Sequence, residues 1–220
     1  MLALLAAFMS TFLVGYLFGS LPTGYLAGRL YRGIDIREHG SLSTGATNVL
    51  RVLGPWPGAL VLCIDFLKGL IPVWLAVSIA DASLPYFSET SMSALGPWLM
   101  ATAGIATIIG HSRSVWLNFT GGKSAATGLG VLFAISVPVG LAASLAFILS
   151  LAVSRIVSLS SLIAAASAAV AALVFGEAFP FQLLIVSGAA LVFVLHRQNI
   201  QRLFSGDEPM IGKSSGDPEP

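Results

Sequence analysis

MLALLAAFMSTFLVGYLFGS, residues 1–20, contains no charged side chain. An apolar run of about 20 residues is long enough for a helix to cross the hydrocarbon core of a bilayer. The run lacks the basic start of a secretory signal peptide, so we predict that it is retained as the first spanning helix. Two GxxxG pairs, Gly15 with Gly19 and Gly24 with Gly28, favour close packing of this helix against another.

The rest of the chain is similarly apolar. Of its 220 residues 56% are hydrophobic and 10% are charged, and the mean hydropathy is +0.89. Soluble domains carry about 25% charged residues, so this composition indicates an integral membrane protein. The single cysteine, Cys63, excludes an internal disulfide, and its apolar surroundings disfavour a catalytic thiolate. The sequence contains no CxxC motif or His/Cys cluster that would indicate a metal site.

Polar gaps divide the sequence into seven apolar segments that we predict to be helices. They cover about residues 2–30, 56–80, 97–110, 124–137, 139–154, 159–175 and 181–195. We therefore predict an all-α integral membrane protein with about seven transmembrane helices, forming a single domain over residues 1–204. The third and fourth segments are short for a full span, so they are expected to tilt or to be partly re-entrant. We expect a loop over residues 81–96 and a disordered cytoplasmic tail over residues 205–220, which are rich in Gly, Pro, Ser and acids.

Basic residues lie in alternate gaps, which predicts how the chain is oriented in the membrane. All Lys and Arg residues except Lys68 lie in or beside the gaps after the first, third, fifth and seventh helices. The other gaps carry acids such as Asp81, Glu89 and Glu177. Because cytoplasmic loops are enriched in Lys and Arg, the basic gaps and the C-terminus are predicted to be cytoplasmic and the N-terminus to be outside.

Lys68 lies inside the second predicted helix, three residues after Asp65, so the two side chains share one helix face. Charges within a span pair with each other or face a polar cavity. A structural ion pair is the favoured interpretation, and a pair that supports a functional site is the alternative.

The segment 40–51, GSLSTGATNVLR, is rich in small hydroxyl and amide side chains and ends in an arginine. Thr47, Asn48 and Arg51 can lie along one face of a helix start. Backbone amides at a helix start bind anions, and arginine adds a bidentate fork for phosphate. On the sequence alone, an ordinary capped helix with a topology-determining arginine explains these residues equally well.

The segment 118–127, NFTGGKSAAT, resembles a phosphate-binding loop. Gly121 and Gly122 let backbone N–H groups face a ligand, Lys123 adds a positive charge, and the following helix adds its positive end. The segment is not a Walker A loop, because Leu117 stands where that motif needs glycine and no strand precedes it. ATP hydrolysis is therefore not indicated.

Two further polar groups lie at the ends of predicted helices. Ser158, Ser160 and Ser161 stand at a helix start, where serine is usually a cap, and a ligand role is an equally open alternative. His196 ends the seventh helix, where histidine commonly interacts with the helix C-terminus. With Asn199 three residues later, it could instead bind substrate or act as a base.

Two catalytic patterns are absent from the sequence. The HxxxxD dyad of many glycerolipid acyltransferases is missing, because the residues five positions after the three histidines are Thr44, Trp116 and Gln201. No Ser-His-Asp set is evident, so a covalent acyl-enzyme is not indicated.

Seven short segments nevertheless form a recognisable set. They are GSLPTGYL (19–26), DIREHGS (35–41), GATNVLR (45–51), GH (110–111), FTGGK (119–123), SRIVSLSS (154–161) and HRQNIQRL (196–203). In this order, and over nearly the whole chain, they closely resemble the membrane acyl-phosphate:glycerol-3-phosphate acyltransferases of bacteria.

The resemblance implies a seven-helix enzyme of the bacterial cytoplasmic (inner) membrane whose active site faces the cytoplasm. It would transfer a fatty acyl group from acyl phosphate to the 1-hydroxyl of glycerol 3-phosphate, giving lysophosphatidic acid and phosphate in the first step of phospholipid biosynthesis. No cofactor, metal, nucleic acid or obligate protein partner is implied; the partners are the two substrates and membrane lipid. The implied catalytic residues are Arg51, Lys123 and His196. The implied substrate-binding residues are Ser41, Thr47, Asn48, Gly121, Gly122, Ser161 and Asn199.

Three places depart from the family pattern. Leu42-Ser43 replaces a Gly-Asn pair in the first loop, and Ser112-Arg113-Ser114 replaces an apolar pair followed by proline. Ser124 replaces the glycine after Lys123. Leu42 removes the backbone freedom of a glycine, whereas Ser124 is expected to cap the following helix and to bind phosphate.

A small organic-anion or phosphate transporter is the alternative from another class. Glycine-broken short helices and charges within spans are also features of transporters. Transporters, however, bind near the midplane at a repeat interface, whereas these polar residues fall on one side and no repeat of two halves is evident. The enzyme is therefore the favoured prediction, with either a substrate phosphate oxygen or His196 as the base.

Overall fold

The computed structural model describes residues 1–82 and 89–212. The described regular structure is helical, apart from an isolated antiparallel bridge between Ser114 and Thr120. The α-helices are α1 Leu2–Ser20, α2 Thr23–Arg32, α3 Ala46–Leu53, α4 Pro55–Ala82, α5 Glu89–Ser112, α6 Ala125–Ile135, α7 Val137–Ser154, α8 Val157–Val174, α9 Phe179–Leu195 and α10 Arg197–Ser205. Short 3-10 turns at Ile36–Glu38 and Val115–Leu117 lie in the loops before α3 and α6. The predicted all-α fold is confirmed.

Fewer helices than predicted are long enough for a full span. In the described part of the chain, the five apolar stretches of sufficient length are Leu2–Arg32, Pro55–Ile79, Ala94–Ser112, Val137–Ser154 and Val157–Val174. The pair α9 and α10 passes the same test together but bends by 58°, and counting it gives six. α6 has 11 residues and is about 16 Å long, half the hydrocarbon thickness of about 30 Å. The predicted short fourth helix is confirmed, whereas seven spans and their orientation stay predictions.

Prolines explain two differences from the predicted helix boundaries. The first predicted helix is divided, because Pro22 lacks the N–H that would continue it, and α1 ends at Ser20. Pro97, interpreted as a helix start, lies inside α5, as membrane helices tolerate. Helix therefore occupies part of the predicted loop 81–96, of which residues 83–88 lie outside the described residues, as do the side chains of Asp81 and Glu89.

Close helix contacts depend on glycines, as the GxxxG pairs predict. A Cβ at Gly15 or Gly19 of α1 would lie 2.6 Å or 2.1 Å from a backbone carbonyl oxygen of α5. A Cβ at Gly69 of α4 or Gly130 of α6 would lie 2.0 Å from a carbonyl oxygen of the other helix. The backbone of α6 is thereby held against α4, which fixes where the loop before α6 ends.

The charged pair inside α4 is a buried ion pair. Lys68 Nζ lies 2.8 Å from Asp65 Oδ1, and the side chains are 5% and 1% exposed. Lys68 also donates to the Leu21 carbonyl at 2.8 Å, and the Thr23 hydroxyl donates to Asp65. These bonds attach α4 to the break between α1 and α2, as the favoured structural interpretation predicts. Asp65 also lines a cavity of the protein, so the alternative of a pair that supports a functional site stays a prediction.

The segment after α10 differs from the predicted disordered tail. Residues 205–212 fold back over the protein, with Glu208 buried. The Ile211 N–H donates to the Arg155 carbonyl at 2.8 Å. The composition of the segment predicts disorder, but the buried partners of Glu208 hold it in place. Residues from Lys213 onward lie outside the described part.

Candidate active site

A cavity of about 440 Å³ lies between α6, α7, α8 and α9. Much of its wall is apolar, with Leu129, Phe147, Ala168 and Ile185 among the lining residues. Its polar end is formed by the loops before α3 and α6 and by the chain around α10. Eight of the sequence-predicted residues line the cavity: Ser41, Thr47, Asn48, Arg51, Lys123, Ser161, His196 and Asn199. The fold therefore brings separate sequence segments to one site.

Asn48 organises the loop before α3. The residue is 1% exposed, and its Oδ1 accepts the Ser41 N–H at 2.7 Å. Its Nδ2 donates to three backbone carbonyls of residues 36–43, at 2.8 to 3.1 Å. Because both ends of the amide are engaged, Asn48 supports the loop that carries Ser41, although the sequence predicts a substrate-binding role.

Thr47 and Arg51 lie one helical turn apart on α3, and both line the cavity. The Arg51 guanidinium is exposed and makes one long contact, from Nη2 to the Pro209 carbonyl at 3.5 Å. A guanidinium has five N–H donors, so most of them stay available to an anionic ligand. The N-cap of α3 is Gly45, without a side-chain cap, and the alternative of an ordinary capped helix with a topology-determining arginine stays open.

Lys123 stands at the polar end of the cavity. Its Nζ donates to Asn199 Oδ1 at 2.6 Å, which engages one of the three ammonium donors. Burial lowers the pKa of Lys123, the nearby Arg202 and Arg51 lower it further, and Glu208 partly offsets the change. The site therefore holds a partly buried cation, which attracts an anionic ligand more strongly than a fully hydrated one does.

Gly121 and Gly122 form a tight turn against the end of α5. A Cβ at Gly121 would lie 2.2 Å from the His111 carbonyl oxygen, and one at Gly122 would lie 2.1 Å from His111 Nε2. The Gly122 N–H donates to that carbonyl at 3.1 Å, so it is not available to a ligand. Neither glycine is among the described residues that line the cavity. Close packing against His111 therefore sets the position of Lys123, and the phosphate contact of this loop stays a prediction.

The serines of α8 are not helix caps. The N-cap of α8 is Ile156, without a side-chain cap. Ser160 and Ser161 donate to backbone carbonyls four residues earlier in the chain, at 2.9 Å. Ser158 donates to Glu208 Oε1 at 2.7 Å. Ser158 and Ser161 line the cavity, so the ligand alternative is the one that the geometry allows.

His196 joins the end of α9 to the cavity. It is 3% exposed, and its Nδ1 lies 2.8 Å from the Val192 carbonyl oxygen. A carbonyl only accepts, so Nδ1 carries the proton and Nε2 is left as the acceptor of the neutral ring. The interpretation as a partner of the helix C-terminus is therefore confirmed, and a role of Nε2 in substrate binding or as a base stays a prediction.

Glu208 is a site residue that the sequence does not predict, and Asp65 and His111 also line the cavity without having been predicted as site residues. It lines the cavity, and its carboxylate accepts hydrogen bonds from Ser158 at 2.7 Å, Asn199 Nδ2 at 2.6 Å and Arg202 Nε at 2.7 Å. Burial alone would raise the pKa of Glu208, but these three hydrogen bonds outweigh it and lower the pKa. One sequence signal could have identified Glu208: the cations Arg51, Lys123 and Arg202 need a carboxylate nearby to balance their charge.

A comparison with known families matches residues 9–206 to the family model described as glycerol-3-phosphate acyltransferase. The chain belongs to this family. Curated relatives include glycerol-3-phosphate acyltransferase 2 of Rhizobium johnstonii, 52% identical over 91% of this chain and 94% of the relative. Glycerol-3-phosphate acyltransferase of Trichormus variabilis is 47% identical over 91% of this chain and 90% of the relative.

Solved structures also resemble this acyltransferase. The crystal structure of PlsY (YgiH), an integral membrane glycerol 3-phosphate acyltransferase, in its glycerol 3-phosphate form is 36% identical, with a TM-score of 0.83. The alignment covers 93% of this chain and 96% of that one. The lysophosphatidic acid form is 35% identical, with a TM-score of 0.80. The chain is therefore a membrane acyltransferase, as predicted.

Two departures from the family pattern fall on left-handed backbone. Leu42 has φ +58° and Ser124 has φ +60°, a region that side chains other than glycine rarely adopt. Glycine adopts this backbone without steric cost, which explains the glycines of the family pattern at both places. The Ser124 hydroxyl donates to the Ile108 carbonyl at 3.0 Å and does not cap α6, so the predicted cap is wrong.

Proposed function

We propose that this acyltransferase transfers a fatty acyl group from acyl phosphate to the 1-hydroxyl of glycerol 3-phosphate. The hydroxyl oxygen attacks the acyl carbon, and the bond between that carbon and the phosphate oxygen breaks. Lysophosphatidic acid and phosphate are the products, and the hydroxyl proton passes to a phosphate oxygen or to His196 Nε2. This reaction is the first step of phospholipid biosynthesis.

The observation that carries the proposal is a cavity with a cationic, hydroxyl-rich end and an apolar remainder. Along α9 the lining residues run from His196 to Leu184, which is about 18 Å at 1.5 Å per residue. An apolar passage of this length suits a fatty chain. The polar end offers Arg51 and Lys123 to phosphate, so the two parts fit the two halves of an acyl phosphate.

The charges of the polar end suit the proposed transition state. Negative charge develops on the acyl oxygen when the hydroxyl attacks, and on the leaving phosphate when the bond breaks. Fixed donors in a site with little water stabilise such charge by several kcal/mol, about 2.7–4 for one donor. Lys123 and Arg51 are the cationic donors that line this end of the cavity together with the Ser161 hydroxyl.

The named forms of the similar crystal structures support the acceptor and the product. One is described as the glycerol 3-phosphate form and the other as the lysophosphatidic acid form. An acyl phosphate donor agrees with two cationic elements at one end of the cavity, because both substrates then carry a phosphate group.

We place the polar end at the cytoplasmic side of the bacterial inner membrane. Arg51, Lys123 and Arg202 belong to gaps whose basic residues predict a cytoplasmic position. In this orientation glycerol 3-phosphate reaches the site from the cytoplasm, and the acyl chain of the donor enters from the bilayer.

The test uses the full chain, purified in detergent, with glycerol 3-phosphate and a donor of one chain length. We expect acyl phosphate to give lysophosphatidic acid and phosphate in equal amounts, and acyl-CoA or acylated carrier protein to give neither. Turnover with acyl-CoA but not with acyl phosphate would contradict the donor. Phosphate flux into liposomes without product formation would support the transporter instead.

A further inference from the structure

The Glu208 carboxylate lies among cations where a substrate phosphate is proposed to bind. Its oxygens accept from three donors that belong to α8 and α10, namely Ser158, Asn199 and Arg202. The side chain is 7% exposed, although the segment that carries it is exposed on either side. A buried carboxylate with three partners therefore connects the end of the chain to the active site.

The carboxylate determines which way the Asn199 amide faces. An ionised carboxylate only accepts hydrogen bonds, so the group facing Glu208 Oε1 at 2.6 Å has to be the amide nitrogen. The amide oxygen then points to the other side, where it accepts from Lys123 Nζ at 2.6 Å. If the amide turned over, its NH₂ group would oppose the Lys123 ammonium and its oxygen would oppose the carboxylate.

We propose that Glu208 is a positioning residue of this site, which acts through Asn199 to hold the Lys123 ammonium where a substrate phosphate binds. The inference rests on the proposed function. One ammonium donor is directed to Asn199, and the other two stay available to the ligand. Direct pairing of Lys123 with Glu208 would instead satisfy the ammonium and compete with the phosphate.

The charge of Glu208 also affects the protonation of Lys123. The charged groups around this ammonium are Arg51 of α3, Arg202 of α10 and Glu208, with His196 at the end of α9. Glu208 is the anion of this group and raises the pKa of Lys123, whereas burial and the two arginines lower it. Removing the carboxylate should therefore deprotonate Lys123 at a lower pH.

The principal test compares Glu208→Gln with Glu208→Asp in the full chain. The glutamine NH₂ group would oppose either the Ser158 and Asn199 donors at the Oε1 position or the Arg202 donor at the Oε2 position. A neutral amide can also face either end of the Asn199 amide, so the orientation of Asn199 is no longer fixed. We expect kcat/KM to fall about tenfold to a hundredfold, mostly through KM for the phosphate-bearing substrates. Glu208→Asp, which keeps the carboxylate, should recover much of this loss. Asp207→Asn is the matched control, because Asp207 is exposed and carries the same charge one residue earlier.

The pH dependence separates positioning from a merely structural role. In Glu208→Gln the alkaline limb of kcat/KM should move to lower pH, since Lys123 loses its proton earlier. In Glu208→Asp and Asp207→Asn the limb should stay near that of the wild type. A merely structural role would lower the yield and melting temperature of Glu208→Gln but would leave the alkaline limb of its kcat/KM profile at the wild-type pH. That result would overturn the proposal.

Asn199→Asp gives a second test that retains Glu208. Two carboxylates would then face each other, and one of them would bind a proton at raised pKa. The protonated pair restores a donor towards Glu208 and an acceptor towards Lys123, so activity should rise as pH falls. Uniformly low activity at every pH would overturn the proposal, whether or not Glu208→Gln folds.

Failure of the proposed function gives a different result. If the wild-type chain forms no lysophosphatidic acid from acyl phosphate, the reaction is wrong and the variants are then compared by the binding of glycerol 3-phosphate. If the wild type is active and Glu208→Gln matches it in kcat/KM and pH profile, only the positioning role is wrong.

Discussion

Two groups of charged side chains, one buried and one partly buried, use a lysine and a carboxylate in different ways. In the ion pair of α4, Lys68 contacts Asp65 directly at 2.8 Å and a backbone carbonyl at the same distance. At the polar end of the cavity, the Asn199 amide stands between Lys123 and Glu208, at 2.6 Å from each. The first lysine is paired within the protein, and the second is held at a distance from its counter-charge.

The difference agrees with a structural role for the Lys68 pair and with the proposed functional role of Lys123. A directly paired lysine has little remaining attraction for a ligand, because its carboxylate already neutralises it. A lysine held through a neutral amide keeps its charge directed at the cavity, while the carboxylate still compensates the group as a whole. The arrangement of partners therefore distinguishes the two roles.

The largest effect is expected from Lys68→Met in the α4 pair. The substitution leaves Asp65 as a buried charge without its cation, and breaking such a pair costs about 3–5 kcal/mol. We expect a large fall in melting temperature in detergent, measured by thermal unfolding. The double variant Asp65→Asn/Lys68→Met removes both charges and should recover most of the loss. A Lys68→Met protein as stable as the wild type would show that the pair is not structural.

Lys123→Ala should have the next largest effect, and on activity rather than on stability. Removing one donor that stabilises a developing anion costs about a hundredfold to a thousandfold in rate. Phosphate release from acyl phosphate measures the loss, and the melting temperature should change little. Arg32→Ala is the control, because Arg32 is exposed at the end of α2 and is explained as a topology signal. Near-normal turnover of Lys123→Ala would remove it from the site.

The sequence predicts the α4 pair and most of the cavity because both follow local rules. Asp65 and Lys68 are three residues apart on a helix, and charges inside a span need a partner. Arg51, Lys123 and His196 stand in motifs whose residue types suit phosphate. Composition and periodicity likewise identify the apolar helices without knowledge of their packing.

Other features depend on contacts between distant segments and could not be predicted. Glu208 belongs to a stretch whose composition is typical of disorder, and its burial requires Ser158, which is 50 residues away in sequence. The packing of the glycine turn against His111 is likewise a tertiary contact, which the residue types of the turn do not indicate. The start of α5 was predicted wrongly, because a proline such as Pro97 fits both the first turn of a helix and the interior of a membrane helix.

A smaller effect is expected where the loops around the site are strained. Leu42→Gly should stabilise the protein by about 1 kcal/mol, because left-handed backbone costs a side chain about 1–2 kcal/mol and glycine is more flexible when unfolded. Ser124→Gly relieves the same strain but loses the hydroxyl bond to Ile108, worth about 1 kcal/mol, so it should be nearly neutral. Thermal unfolding of both variants measures the difference. Destabilisation by Leu42→Gly would show that its backbone is not strained.

The smallest effect should come from a direct pair that lies at the surface. Arg37 Nη2 contacts Asp35 Oδ2 at 2.6 Å, more closely than the 2.8 Å of the α4 pair. The Asp35 side chain is 9% exposed, but that of Arg37 is 33% exposed. Pairs with a solvent-exposed partner are screened by water, and Arg29, 4.0 Å from Asp35, remains as a second cation. Arg37→Ala should therefore lower stability less than Lys68→Met does. The hydrogen bond from Arg37 lowers the pKa of Asp35 from 3.8 to about 2. A lowered carboxyl pKa stabilises the fold above the unfolded value, so this contribution should be lost as pH falls from 3.8 towards 2. In Arg37→Ala the pKa of Asp35 should lie closer to 3.8, so the pH range over which this stabilisation is lost should become narrower. A loss as large as that of Lys68→Met would mean that contact distance, and not burial, determines the stabilisation by each pair.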